Sequence, residues 1–447
     1  MLNLWSEKIN LTRLQIILLQ VLALTLPFSF EIRISGDSKL MFPTEPIMMI
    51  LGLFVLIDLL IRPGSLGNLL PKKSWLVFPF LFALFLGTAL SEMTLVSIKF
   101  TAVNFLYILV FFFTLHHLME IAPKLFIQLL SLYTLGFFLI GLLAIYRYSD
   151  YGWNPDVVKA IFQPFYKDHT IYGATAAILC AFWLSYPNQG PLISTGLWFR
   201  LIGVAMAGAV LLSYSRAAML SLIVFLVIRI LFALRIRLWQ FGLIFGITLI
   251  YLYLNSFSLL NSLNANQHDS GDKRADIVGH TLSSGNVNTD VSNRERLNRW
   301  VSGLSMFSEK PVTGFGPGTY QFQYIPFQKP DYLTRLSVSD PFHIPENSGG
   351  TAHSEYILAL SEMGIPGILS WIILISGLTV IAFRSALDHP DRKYIIAGFA
   401  ALSTYFFHAF FNNFLNTDKF AFLFWGIIAW ICVITIKKLP DGQRILP

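Results

Sequence analysis

Charged residues are scarce in this chain of 447 residues. Asp, Glu, Lys and Arg make up 13% of it, whereas soluble domains carry about 25%. Hydrophobic residues make up 55%, and many apolar runs approach the length of about 20 residues that a membrane-spanning helix needs. The runs do not alternate apolar and polar residues as the strands of a membrane β-barrel do. The composition therefore excludes an ordinary soluble domain and predicts an all-α polytopic membrane protein.

Cysteine is almost absent. The only two, Cys180 and Cys432, lie in apolar segments without a partner nearby in sequence, so neither a disulfide nor a zinc site is predicted. No carboxylate cluster suits a divalent cation. The Gly-rich stretch 314–318 lacks the Gly-Lys-Ser/Thr ending of a phosphate loop and is interpreted as a structural turn. The sequence thus predicts no metal and no cofactor.

Acidic residues are fewer than basic ones, which gives a formal net charge of +7. A basic protein can bind nucleic acid or anionic lipid. In a membrane protein the better explanation is Lys and Arg retained in cytoplasmic loops. The lipid bilayer is therefore the expected partner, and no nucleic acid is expected.

Twelve membrane-spanning helices are predicted from the apolar runs. They lie near residues 14–30, 46–61, 75–90, 100–115, 125–146, 171–186, 198–213, 217–234, 239–255, 365–383, 394–413 and 420–436. Lys8 and Arg13 precede the first run, and no small-residue cleavage pattern follows, so a signal anchor retained as the first helix is expected.

Positive charge in the short loops predicts the orientation. With both termini in the cytoplasm, most Lys and Arg of the short loops lie inside, and the long polar segment 256–353 lies outside. The chain is accordingly divided into helices one to nine (1–255), an extracytoplasmic loop (256–353), and helices ten to twelve with a short cytoplasmic tail (354–447). In a Gram-negative cell this predicts a multi-pass inner-membrane protein whose long loop faces the periplasm.

Three arginines lie close together in the long loop, namely Arg294, Arg296 and Arg299. Apolar residues follow at helical spacing, which predicts an amphipathic helix over about 293–308 on the outer membrane face. A guanidinium fork suits phosphate oxygens. The simpler interpretation of any one of these arginines is a solvated helix face paired with Glu295.

Two further residues stand where a polar loop meets an apolar run. Arg216 begins the eighth span, and a charge at that depth either faces a polar cavity or snorkels to the interface. His353 stands where the loop re-enters the membrane. An imidazole there can act as a general base, although a single His is more often structural. The pattern after it predicts a short helix over 353–363, before the tenth span.

An ordered set of motifs resembles the bacterial O-antigen ligase and polymerase superfamily. The motifs are Ser215-Arg216, Arg296-x-x-x-Trp300, Pro311-x-x-Gly314-x-Gly316, Ala352-His353-x-Glu355-Tyr356 and Glu362-Met363-Gly364-Ile365-Pro366-Gly367. Asp168-His169-Thr170-Ile171-Tyr172-Gly173 also looks like the family's usual polar start of a middle span. The family often has Asn after the His, where this chain has Ser354.

The resemblance implies transfer of a glycan from undecaprenyl diphosphate to an acceptor hydroxyl at the outer face of the membrane. In that case Arg216 and Arg296 hold the diphosphate and His353 takes the proton of the acceptor. Further substrate-binding candidates are Arg299, Arg294, His169, Lys167, Glu355 and Tyr356.

Three acceptors remain open: lipid A-core (a ligase), a growing glycan (a polymerase) or a protein side chain (an O-oligosaccharyltransferase). A transporter of lipid-linked glycans is the alternative from another class. It would need charges near the middle of several spans and internal repeats. Few such charges occur, mainly Asp58 and Arg229, and no repeat is obvious.

Overall fold

Long apolar helices dominate the computed structural model. It describes residues 2–35, 38–61, 74–187, 193–256, 258, 261, 290–343 and 350–436. The thirteen long helices are α1 (Leu2–Thr25), α2 (Thr44–Ile61), α3 (Phe78–Ala89), α4 (Thr94–Ile121, with a π-helical turn at Leu109–Thr114), α5 (Leu125–Asp150), α6 (His169–Ser185), α7 (Ile193–Leu212), α8 (Arg216–Ala233), α9 (Leu238–Leu254), α10 (Val291–Glu309), α11 (Glu355–Asp388), α12 (Arg392–His408) and α13 (Asp418–Ile436). The predicted all-α membrane protein is confirmed.

Short elements join these helices. Two strands, β1 (Phe30–Ser35) and β2 (Ser38–Phe42), form an antiparallel hairpin between α1 and α2. Helical turns occur at Leu26–Phe28, Ser74–Leu76, Pro155–Val157, Val158–Ile161, Tyr320–Gln323, Ile325–Phe327 and Pro330–Tyr332. The hairpin is absent from the prediction, although its first strand alternates apolar and polar residues as a strand does.

Each of the twelve predicted spans coincides with one long helix other than α10. Within the described residues, seven helices are long and apolar enough to cross a membrane. Four more (α3, α6, α7 and α9) are apolar but shorter. The count of twelve crossings therefore stays a prediction, as do the three divisions of the chain. Residues 262–289 of the long loop and the C-terminal tail 437–447 lie outside the described residues.

Burial distinguishes central helices from peripheral ones. Every residue of α13 from Asp418 to Ile434 is buried, whereas α9 has no buried residue. An apolar helix that the rest of the protein covers so little suits a lipid-facing position. Helix α6 packs against α7, α8 and α12, while α11 packs against α3, α10 and α12. This arrangement brings the starts of α6, α8, α10 and α11 to one end of the bundle.

Helix α11 is bent near its start. Gly364 lies inside it with φ 61° and ψ −147°, and Pro366 follows. The N–H of Ile365 donates to the carbonyl of Pro311 at 2.8 Å. A non-helical residue followed by proline interrupts the helical hydrogen bonds. The predicted short helix before the tenth span is thus the first part of a bent helix. The long loop contacts the bend through Pro311.

Candidate functional site

Arg216 is the first residue of α8, directly after a tight turn. Ser215 caps the helix, and its hydroxyl accepts a hydrogen bond from the N–H of Ala218 at 3.4 Å. The preceding turn is also fixed from α6, because Nδ1 of His169 lies 2.6 Å from the carbonyl oxygen of Ser213. Serine is a favoured capping residue. The capping serine and the turn before it therefore fix the position of Arg216 at the end of the membrane helix.

The loop helix α10 is joined to α8 through Asp290. Nη1 of Arg216 donates to the Asp290 carboxylate at 3.0 Å, and the Asp290 side chain is fully buried. The other carboxylate oxygen caps α10 by accepting from the N–H groups of Ser292 and Asn293, at 3.0 and 3.2 Å. A single side chain thus both starts the loop helix and binds the membrane arginine.

Arg296 lies one turn further along α10 and meets Arg216 at Asn293. Its Nη1 donates to Oδ1 of Asn293 at 3.2 Å, and Nη2 of Arg216 donates to the same oxygen at 3.5 Å. The Nε of Arg296 is buried and has no hydrogen-bond partner among the described residues. Two cations share one neutral acceptor, and the Arg296 guanidinium keeps an unused donor.

The pKa of Arg296 reflects this crowding. Burial and the nearby positive charge of Arg216 lower the pKa of Arg296 to about 10, while Asp168 and Asp290 partly oppose the shift. The guanidinium is still protonated at neutral pH. An anion bound between the two arginines would relieve the repulsion between them.

His353 is held through its backbone by α10. Its φ is 50°, in the left-handed region that a non-glycine residue rarely adopts. Its carbonyl accepts from Nε1 of Trp300 at 3.3 Å, and the carbonyl of Thr351 accepts from Nη1 of Arg299 at 2.9 Å. Ser354 then caps α11 through the N–H of Ile357. The same helix therefore carries Arg296 and positions the half-buried His353.

Asp168, at the start of α6, lies near His353 and Arg296. It caps α6 by accepting from the N–H of Thr170 at 2.8 Å. Burial raises its pKa, but the charges of His169 and His353 and the Thr170 N–H outweigh that effect, so the pKa lies below the usual 3.8. Arg296 also lies within its electrostatic range. Residues from α6, α8, α10 and the start of α11 thus converge at one point.

Arg299 and Glu295 form a buried ion pair within α10, next to the candidate site. The Nε of Arg299 donates to Glu295 at 2.8 Å, and both side chains are buried. Glu295 also accepts from the hydroxyls of Thr334 and Ser337, each at 2.7 Å. Arg299 is thereby committed to the loop, and its role in substrate binding stays a prediction. The inward face of α10 is largely polar, while Leu304 is 45% exposed.

Other candidates from the sequence lie apart from the two arginines. Arg294 donates to the carbonyl of Asp331 at 2.7 Å on the exposed side of α10. Lys167 forms an ion pair with Glu31 of β1. Glu355 accepts from the hydroxyl of Tyr405 and from the N–H of Leu415, the latter at 2.9 Å. No observation places these three beside Arg216, and their substrate contacts stay predictions.

Tyr356 likewise has a structural partner, since its hydroxyl donates to the carbonyl of Phe406 at 2.7 Å. The Gly-rich stretch 314–318 is a structural turn, as its sequence predicts. The N–H groups of Gly318 and Tyr320 donate to the two oxygens of Glu362 at 2.9 and 3.0 Å. A Cβ at Gly314 would lie 2.3 Å from the backbone of Glu362. Only glycine permits this close approach.

Three residues that the sequence reasoning did not select join the site. Asp290, Asn293 and Asp168 contact or electrostatically influence the selected arginines and histidines. Asp290 precedes the arginine cluster at the position of a helix cap, which is the signal that could have identified it. Asp168 stands at the same kind of position before α6.

Comparison with protein families finds a match for this chain. The model of the family described as O-antigen ligase matches residues 201–372. The matched segment begins within α7 and ends within α11, so it includes Arg216, Arg296 and His353. Comparison with curated proteins finds no match. The resemblance inferred from the motifs is confirmed to this extent: residues 201–372 of this membrane protein match the model of the O-antigen ligase family.

Proposed function

We propose that this protein is a membrane-embedded, metal-independent glycosyltransferase of the ligase type. It moves a glycan from undecaprenyl diphosphate to an acceptor hydroxyl on the outer face of the bacterial inner membrane. Both the match to the O-antigen ligase family and the arrangement of residues described above support this proposal.

One observation carries the proposal. Arg216 on a membrane helix and Arg296 on the loop helix donate to the same oxygen of Asn293. Two converging guanidinium groups form a site for a dianionic diphosphate, because each can offer a fork of donors to phosphate oxygens. The pair lies where a lipid-linked donor would present its headgroup, at the end of an apolar helix.

The chemistry follows from this placement. The acceptor oxygen attacks the sugar carbon that is bonded to phosphate, and the carbon–oxygen bond to the diphosphate breaks. His353 takes the proton that the acceptor hydroxyl loses. Arg216 and Arg296 stabilise the negative charge that develops on the leaving diphosphate. Asp168, which lies in electrostatic range of His353, favours the protonated imidazole that this step produces.

The acceptor remains the open part of the proposal. A polymerase and a protein O-oligosaccharyltransferase would use the same arginines and the same base. A transporter is a weaker alternative, since the converging groups lie at one end of the bundle and a carrier needs them near mid-membrane.

The test uses purified protein with a defined undecaprenyl-diphosphate oligosaccharide in EDTA, first without an acceptor. Mass spectrometry of the lipid-linked product separates the candidates. Growth by whole repeat units identifies a polymerase, and transfer only after lipid A-core or protein is added identifies that acceptor. Loss of turnover in EDTA that Mg²⁺ restores would contradict the metal-independent mechanism.

The general base is tested with two substitutions of His353. The φ of His353 is 50°, in the left-handed region. Asn tolerates this backbone conformation, so His353→Asn keeps it, whereas His353→Ala adds backbone strain. Removing a general base costs a factor of about 10² to 10⁴. We expect turnover to fall by at least about a hundredfold in both variants. Near-normal turnover in His353→Asn would exclude His353 as the general base.

A further inference from the structure

A cavity lined by both apolar and charged side chains lies on the same side of the bundle as the two arginines. It has a volume of about 280 Å³ and lies between the β1–β2 hairpin, α4 and the chain segments that precede α6 and α13. Exposed residues at its rim include Glu31, Lys167 and Asn416. Small-molecule sites usually measure about 300 to 1,000 Å³. The cavity therefore suits a ligand of one or two rings rather than a lipid chain.

The floor of the cavity carries charged groups that are bound within the protein. Nζ of Lys419 donates to the carbonyl of Ser29 at 2.7 Å and lies 5.4 Å from the centre of the Tyr166 ring. Asp418 is fully buried and accepts from the hydroxyl of Thr44. Because both side chains are held by contacts with other parts of the chain, the fold itself preorganises the cavity for a ligand.

One carboxylate has an unused acceptor. Oε2 of Glu45 accepts from the N–H of Met41 at 3.0 Å, while Oε1 has no donor in the described part of the chain. The walls add the aromatic rings of Phe30, Tyr107 and Phe165. A carboxylate oxygen accepts strongly from a hydroxyl group, and an aromatic face covers an apolar ring surface. This combination fits a pyranose ring, which has hydroxyls at its edge and C–H groups on its faces.

The balance of charge argues against a phosphate ligand. Three carboxylates (Glu31, Glu45 and Asp418) and two ammonium groups (Lys167 and Lys419) line the cavity. Lys167 pairs with Glu31, and Lys419 donates to the carbonyl of Ser29, so both cations already have partners within the protein. A diphosphate needs cations of this kind, whereas a neutral sugar does not.

Two chain segments connect the cavity with the candidate site. Lys167 is at the rim, and the next two residues, Asp168 and His169, lie near His353 and the turn before Arg216. In the other segment Asn416 lines the cavity, and three residues earlier Asn413 accepts from the hydroxyl of Thr351 at 3.0 Å. Three residues of extended chain span about 10 Å. The cavity is thus within a few sugar rings of His353.

We infer that the cavity between the β1–β2 hairpin and the segments before α6 and α13 is a saccharide-binding subsite. It holds a sugar ring of the glycan substrate, on either the donor or the acceptor, while another part of the same glycan lies at His353. The inference rests on the proposed function, because that function supplies the glycan.

The probes for this subsite are two glycans without their lipids. Mild acid releases one from the host's polyprenyl-diphosphate donor and the other from its lipid A-core acceptor. Binding of each to the full-length protein in detergent is measured by saturation-transfer NMR. Variant Val103→Trp fills the cavity, and Glu45→Gln removes the free carboxylate acceptor at nearly constant shape. The matched control is Val204→Trp, at a side chain that is 61% exposed on α7.

We expect Val103→Trp to weaken the binding of one glycan at least tenfold, and Glu45→Gln to weaken the same one at least threefold, with Val204→Trp within twofold of wild type. The affected glycan identifies the donor or the acceptor as its source. Unchanged binding in Glu45→Gln and Val103→Trp, or no binding to the wild type, would overturn the inference. Glu45→Gln decides the matter if Val103→Trp does not fold.

Transfer assays separate this inference from the proposed function. If the wild type transfers glycan and the variants keep both KM values, only the subsite fails. If the wild type transfers nothing while the NMR pattern holds, the proposed function fails and the sugar-binding cavity stands.

Discussion

At the scale of single residues, Arg296 gives the most direct test of the proposed diphosphate site. Arg296→Lys keeps the positive charge but loses the planar fork and the unused Nε donor. We expect kcat/KM for the donor to fall by roughly 10- to 100-fold, since loss of one electrostatic donor costs up to about 10³. The control is Arg335→Lys, at an exposed position of the same loop, which should stay within twofold. Normal kinetics in Arg296→Lys would refute two-point binding of the diphosphate.

Asp290 acts twice, and two substitutions separate its roles. Asp290→Asn preserves a good helix cap but removes the carboxylate that forms the ion pair with Arg216. Asp290→Ala also loses the cap, which costs about 1 kcal/mol more. We expect donor turnover to fall about tenfold in both variants, with a further drop in Tm only for Asp290→Ala. Wild-type turnover in Asp290→Asn would show that the ion pair does not position Arg216.

Sequence reasoning found the arginines and the histidine, and it named Glu295, which pairs with Arg299, but it missed the partners of Arg216 and Arg296. Arg216 and His353 stand out because each is polar at the edge of an apolar run. Asp290 is 74 residues from Arg216 in sequence, and nothing local indicates that they meet. Glu355 is predicted to contact substrate, and in the structure its Oε1 accepts from the Tyr405 hydroxyl and from the Leu415 N–H. A motif shows which residues occur together, but the tertiary contact determines whether a side chain is free.

At the scale of elements, the bend of α11 is the most constrained feature. The φ of Gly364 is 61°, and a Cβ there would lie 2.5 Å from the carbonyl oxygen of Pro311. Gly364→Ala must therefore strain the backbone and displace the loop, at a cost of about 1 to 3 kcal/mol from the dihedral angle alone. We expect a clear drop in Tm for the purified protein.

The matched control for this bend is Gly208→Ala, where a Cβ meets nothing within 4 Å. That substitution lies inside α7 and should be neutral or stabilising by up to about 1 kcal/mol. Equal Tm values for the two variants would contradict the assignment of Gly364 as a constrained bend.

Element positions were more predictable than element contacts. All twelve predicted spans coincide with helices, because a long apolar run in a membrane protein has few alternatives to a helix. The β1–β2 hairpin was missed since its strands are only six and five residues long. The loop helix α10 was predicted near its observed bounds, but its buried polar face depends on Glu295 pairing with Arg299, Thr334 and Ser337.

At the scale of the whole molecule, the orientation in the membrane is the main prediction. Charge asymmetry places the loops before α6, α10 and α13 outside and the turn before α5 inside. Single cysteines test this in a background where the buried Cys180 and Cys432 are replaced by serine. Lys329→Cys and Asn416→Cys should react with an impermeant maleimide on intact spheroplasts, whereas Lys124→Cys should react only after lysis. The reverse pattern would invert the topology.

The meeting of Arg216 and Arg296 at one oxygen of Asn293 has a consequence for the rate of product release. After transfer, the lipid diphosphate carries a free terminal phosphate with one more ionisable oxygen than the donor had. A pair of arginines that neutralises the donor would therefore hold the spent carrier more tightly than the fresh one. Product departure would then limit the cycle, and a single-turnover experiment should show a rapid burst followed by a slower steady rate. An enzyme built this way would depend on whatever removes the spent carrier from the membrane, and its output would follow the supply of recycled lipid.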